Sequence, residues 1–141
     1  MPELTGSCIK RKDTDMAQRF FKCSKCGNIY AVVEDSGCRV SCCGSPMDEI
    51  IPGEVDASAE KHVPVIEQDG NKVTVKVGAA VHPMTSEHYI QWISIETKEG
   101  NQRKLLEPES APEASFVLTD DDELLAAYAY CNLHGLWKKE I

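Results

Sequence analysis

Long apolar runs are missing from this chain, and none approaches the ~20 residues needed to cross a bilayer, so no membrane association is expected. A basic surplus is missing too. Lys and Arg number 15 against 23 Asp and Glu, a formal net charge of −8, which argues against general nucleic-acid binding. Lys10, Arg11, Lys12 and Arg19 are not followed by the apolar segment of a secretory signal, and a cytoplasmic address is expected. No internal repeat is visible. Histidine is scarce, with 4 in 141 residues, so any clustering of them carries information.

What is present is cysteine. Seven is a large number for a chain of 141 residues. The count is odd and no signal segment is seen, so a disulfide framework is not the natural reading; in a reducing compartment clustered cysteines more often hold metal. The 42% hydrophobic and 27% charged content is that of a globular chain.

Four parts are expected. Residues 1–19 are polar and read as a flexible extension. Residues 20–50 are rich in cysteine and glycine, with a strand over Ile29–Val33 and a turn at Asp35-Ser36-Gly37. A module this short cannot bury enough apolar surface alone and needs a metal staple. Residues 51–60 read as a linker, and residues 61–141 as a strand-rich domain. In that domain Val73, Val75 and Val77 alternate with Thr74, Lys76 and Gly78, the period of a half-buried strand. Further strands are expected at Tyr89–Glu96, Ser115–Thr119 and Ala126–Cys131, with a helical turn over Leu124–Ala127 as an alternative. Turn signals at Asp69-Gly70-Asn71 and Glu99-Gly100-Asn101 suit hairpins. The fold class is all-β, a metal-stapled module followed by a β-sandwich or barrel.

Two metal sites are predicted. Cys23 and Cys26 are spaced so that one tight turn aims two thiolates at one ion, with Gly27 where the chain bends. Cys42 and Cys43 are adjacent, and side chains of neighbours tend to point apart, so sharing one metal requires a local twist. Four thiolates suit zinc or iron. Cys8 and Cys38 are left over as bystander thiols, although Cys38 can in principle replace Cys42 or Cys43.

All four histidines, His62, His82, His88 and His134, fall in the second domain, and His134 follows Cys131 by three residues. A single histidine is usually structural. If all five share an ion, they exceed the four-coordinate closure of structural zinc. Four imidazoles with an axial thiolate leave a sixth position open and fit redox-active iron better.

These motifs resemble the desulfoferrodoxin family, whose small first module is desulforedoxin-like. The resemblance rests on Cys23-Ser24-Lys25-Cys26-Gly27-Asn28-Ile29 with Cys42-Cys43-Gly44, then Glu60-Lys61-His62-Val63-Pro64-Val65. It continues through His82-Pro83-Met84, His88-Tyr89-Ile90 and Cys131-Asn132-Leu133-His134-Gly135, covering residues 20 to 138 in order. It implies an immunoglobulin-like second domain, a homodimer, and two iron ions per chain. One iron is held by Cys23, Cys26, Cys42 and Cys43; the other has equatorial His62, His82, His88 and His134 with axial Cys131. The implied activity is superoxide reductase, the one-electron reduction of superoxide to hydrogen peroxide, fed by rubredoxin or a similar carrier. Lys61 is implied as the cation that draws superoxide into an acidic protein, and Glu60 as the sixth ligand of the resting oxidised state. A pure electron carrier and a zinc-stapled interaction module are the competing readings.

Overall fold

The computed structural model describes residues 17–53 and 59–141, and the chain divides into two units at Ile51/Pro52. Within the first unit, β1 (Phe20–Lys22) pairs antiparallel with β2 (Ile29–Ala31) on one side and β5 (Asp48–Glu49) on the other. A second hairpin joins β3 (Ser41–Cys42) to β4 (Ser45–Pro46). The apolar core is small: Phe21, Cys23 and Met47, with Val32, Val40 and Cys42 packed against them. So few buried groups cannot order a module of this size, which is the reason a metal staple is needed.

Most of the sequence-predicted extension lies outside the described residues, as does Cys8. Its last residue does not behave as a tail. Arg19 binds Glu49 through two nitrogens at 2.9 and 2.7 Å and Asp35 at 2.9 Å, and its guanidinium lies over the Phe21 ring. Cys38 is disulfide-bonded, so it is neither a bystander thiol nor an alternative metal ligand.

The second unit is a sandwich of two antiparallel sheets. After a one-turn helix, α1 (Ala59–His62), come β6 (Pro64–Asp69), β7 (Lys72–Val77), β8 (Ile90–Thr97), β9 (Gly100–Leu105), β10 (Glu113–Val117), β11 (Leu124–Cys131) and β12 (Gly135–Glu140). One sheet runs β10-β7-β6 and the other β12-β11-β8-β9. Val73, Val75 and Val77 turn inward from β7, as their alternation predicts. They meet Ile93 and Ile95 of β8, Phe116 of β10, and Ala127, Ala129 and Cys131 of β11 in one core. Leu124–Ala127 is strand rather than helix, because β11 is paired on both sides, to β8 and to β12. Its opposite face is covered as well: Trp92 stacks on Tyr130 at 5.5 Å, and Tyr128 donates to Glu96 at 3.0 Å.

Two candidate metal centres

The first centre is built by two turns. After β1 the chain folds back through Cys23–Gly27, closed by the Gly27 amide donating to the Cys23 carbonyl at 3.0 Å. Gly27 has φ 82°, which a side chain would oppose. Cys43, in the β3–β4 turn, has φ 54°; this is the twist that lets adjacent cysteines face one centre. The Cys26 and Cys42 sulfurs lie 3.6 Å apart and those of Cys42 and Cys43 3.9 Å apart. A tetrahedron with metal–sulfur bonds of ~2.3 Å has edges of about 3.8 Å, so the four thiolates fit one ion. Backbone amides of Lys25 and Cys26 point at the Cys23 sulfur, at 3.4 and 3.5 Å, and lower its pKa to about 6. Contact with the Cys26 sulfur pushes the Cys43 thiol up to about 12 and the Cys42 thiol in the same direction. Protons and a metal therefore compete for these sulfurs, and a cation at the centre replaces them. Cys26 and Cys43 are exposed, whereas Cys23 is buried.

The second centre gathers donors from three places in the chain. His62 ends α1, His82 and His88 stand in the β7–β8 loop, and Cys131 and His134 flank the turn between β11 and β12. The imidazoles form a closed pinwheel in which each ring is edge-on to the next. His62 and His82 are 4.7 Å apart at 74°, His82 and His88 4.7 Å at 80°, His88 and His134 5.0 Å at 77°, and His134 and His62 4.8 Å at 83°. His62 Nε2 lies 3.1 Å from both His82 Nε2 and His134 Nδ1. A square of donors with sides near that length has its centre about 2.2 Å from each corner, close to a metal–imidazole bond. The Cys131 sulfur is 3.9 Å from His134 Nδ1, and the donor atoms of all five residues lie within 4.8 Å of one another.

Hydrogen bonding fixes which nitrogens face inward. His82 Nδ1 lies 2.6 Å from the Pro83 carbonyl and must be the N–H, so Nε2 turns a bare lone pair toward the centre. His88 Nε2 is buried with no hydrogen-bond partner among the described residues, a costly state for a polar atom unless an ion occupies the centre. Burial holds the His82 pKa down to about 4 and lowers that of His88, and the electrostatic influence of His134, His62 and Lys61 acts on His88 in the same direction. Neutral imidazoles are the ligating form. Burial instead raises the Cys131 thiol, which sits at 0% exposure in the sandwich core. The register of β11 against β8 slips between Tyr130 and Cys131, a bulge that sets where the sulfur emerges.

Two further residues hold the pinwheel, and sequence reasoning singled out neither, although both lie in the run from Cys131 to Trp137. The Trp137 ring stacks on His62 at 5.1 Å and its indole N–H donates to the His134 carbonyl at 3.0 Å. Asn132 brackets His88, accepting from the Tyr89 amide and donating to the Glu87 carbonyl, both at 3.0 Å. Lys61 and Glu60 are exposed on α1 beside His62. Glu60 lines a shallow groove with Ala59, Val63, Pro64 and Ala79, and its carboxylate is outside the five-donor cluster.

The chain matches two family descriptions, "Desulfoferrodoxin, N-terminal domain" over residues 16–50 and "Desulfoferrodoxin" over residues 54–140. It is 47% identical over 118 residues to a desulfoferrodoxin homolog from Archaeoglobus fulgidus, covering 84% of this chain and 93% of that one. It is 44% identical over 120 residues to the desulfoferrodoxin of Nitratidesulfovibrio vulgaris, covering 85% and 94%. Among solved structures, the superoxide reductase from Treponema pallidum superposes with a TM-score of 0.75 at 42% identity, covering 88% of this chain and 99% of that chain.

Proposed function

This chain belongs to the desulfoferrodoxin family, and from that premise we propose that it is a superoxide reductase that combines superoxide, one electron and two protons into hydrogen peroxide. The observation that carries the reading is the pinwheel of four imidazoles meeting one buried thiol, a donor set that exceeds what structural zinc uses. Iron held by these five donors would supply the one-electron chemistry, with the electron coming from an external carrier. His62, His82, His88, His134 and Cys131 are read as the residues that would hold this iron. Cys23, Cys26, Cys42 and Cys43 are read as the ligands of the other iron.

The remaining roles fall to residues of α1. Lys61 is an exposed cation beside His62 in a chain of net charge −8, and it makes the mouth of the site locally attractive to an anion. It also holds water from which the product takes a proton. Glu60 is read as the carboxylate that would bind the iron in its resting oxidised form. Cys131 would approach a bound metal from the core side, where its surroundings are fixed, and would supply electron density to it. Rubredoxin or a similar one-electron carrier is the proposed donor, and the homodimer implied by the family resemblance is the proposed assembly. Among the described residues no helix is long and apolar enough to span a membrane, and a cytoplasmic address is proposed. The division of the chain near residues 50 and 60 belongs to the same proposal, with Arg19 counted to the first module.

The first test is the visible spectrum before and after chemical oxidation, with iron and zinc content, followed by superoxide kinetics. Two irons per chain, ferric-thiolate bands and a new broad red band on oxidation are expected, together with rapid superoxide consumption. Zinc alone and no colour after iron-replete anaerobic expression overturns the proposal in favour of a structural module. Replacing Lys61 with Ala should slow the superoxide reaction most at low ionic strength, where an exposed charge is least screened. Unchanged second-order rates there would remove Lys61 from its role.

A further inference from the structure

We propose that Gly78 is a positioning residue for the superoxide reaction, seating the backbone of residues 60–62 so that Lys61 is presented at the site; this rests on the reading of the chain as a superoxide reductase. The helix that carries Lys61 is one turn of four residues, too short to hold itself. Its place is imposed from outside. Pro64 of β6 pairs with Val77 of β7, so the residue after Val77 runs back along the chain that precedes Pro64. That residue is Gly78. A Cβ built there would stand 2.7 Å from the Glu60 carbonyl oxygen, 2.8 Å from the Lys61 carbonyl carbon and 3.0 Å from the His62 nitrogen.

All three neighbours are backbone, and they belong to the two peptide units that flank Lys61. No rotamer change can relieve such a contact. The same turn then grips what it touches: the Ala80 amide donates to the Glu60 carbonyl at 3.0 Å, and the Gly78 amide to the Ala80 carbonyl at 3.3 Å. His82 leaves from the end of this turn, so residues 78–80 tie the segment bearing Lys61 and His62 to the segment bearing His82. The glycine is required by close approach, since its φ is not of the left-handed kind that marks Gly70 and Gly100. With any side chain at 78 the 60–62 backbone retreats by several tenths of an ångström, and an exposed lysine loses its fixed point of departure. Misplacements of that order in reacting groups cost substantial rate.

The experiment compares iron-loaded full-length protein with Gly78→Ala, Lys61→Ala and the double variant. It reads iron content, the thiolate-to-iron band, and the second-order rate with superoxide across ionic strength. Gly78→Ala should retain two irons and the red band, lose about tenfold in rate at low salt, and show a flattened salt dependence. In the Lys61→Ala background the same change should cost nothing further. Equal slowing in both backgrounds, or a wild-type rate and salt slope, overturns the proposal. Ala80→Pro, which deletes the amide hydrogen given to the Glu60 carbonyl and leaves Gly78 in place, should flatten the salt dependence in the same way. If both variants fail to load the second centre while the four-thiolate bands persist, Gly78 serves folding and the positioning role is refuted. Hydrogen exchange separates this from a failure of the functional reading. The Ala80 amide should exchange at least tenfold faster in Gly78→Ala, even if the wild-type protein proves inert to superoxide.

Discussion

Asn132 offers a quantitative test of how the pinwheel is held. Its side chain accepts from the Tyr89 amide and donates to the Glu87 carbonyl, each at 3.0 Å, so it grips the chain on both sides of His88. Besides the local bonds between Thr85 and His88, the loop is held by the Glu109 amide donating to the Met84 carbonyl at 2.7 Å and by the Asn132 backbone amide donating to the Tyr89 carbonyl at 3.2 Å. A substitution at 132 leaves both of these in place. Replacing Asn132 with Ala removes both side-chain grips. A net hydrogen bond contributes about 1 kcal/mol, and the Glu87 bond lies toward solvent, so the loss of stability should be about 1–2 kcal/mol. The stronger expectation concerns the metal. Partners that orient a ligand typically cost 10–100-fold in metal affinity when removed. Iron affinity at the five-donor centre should therefore fall by at least about tenfold, with the four-thiolate centre untouched. Chelator competition followed at the red band and at the ferric-thiolate bands reports the two centres separately, and denaturant titration reports the fold. A variant that melts earlier yet binds iron at the second centre as tightly as the parent would refute the reasoning. Asn132 would then support the loop without orienting His88.

Replacing Cys131 with Ser should abolish the red band of the oxidised protein while leaving the ferric-thiolate bands; persistence of the red band would remove Cys131 from the ligand set. The metal-free second unit should lose stability as pH falls from 6.5, the ordinary imidazole value, towards about 4, the value to which burial holds His82. The sign follows from the neutral form being the one the fold accepts: over that interval the unfolded chain binds the proton first, and protonation favours unfolding. A denaturation midpoint of iron-free protein that stays level between those two pH values would contradict it.

The donor cluster was legible in the sequence because histidine is rare here and the fold brings all four together with Cys131. The inward valines of β7 were legible because Thr74 and Lys76 separate them and a half-buried strand has a period of two. The strand β9 was not. Gly100–Leu105 is exposed at nearly every position and carries no apolar alternation, and only its pairing with β8 makes it a strand. The segment 124–127 read as helix or strand because Leu-Leu-Ala-Ala suits both, and neighbours on either side decide it. The slip in register before Cys131 and the close approach at Gly78 are properties of two segments meeting. Neither leaves a trace in either segment alone.

The contrast in exposure between the two centres bears on how this protein ages. Cys26 and Cys43 stand in solvent, while Cys131 and His82 are sealed at 0% and 1% exposure. Hydrogen peroxide is released by each turnover, and thiolate sulfur that solvent can reach is what peroxide attacks first. Each molecule thus carries its most oxidisable sulfurs where its own product can find them. Damage accumulates first in the four-thiolate module, and a worked population should contain chains that still consume superoxide after their first centre has been lost.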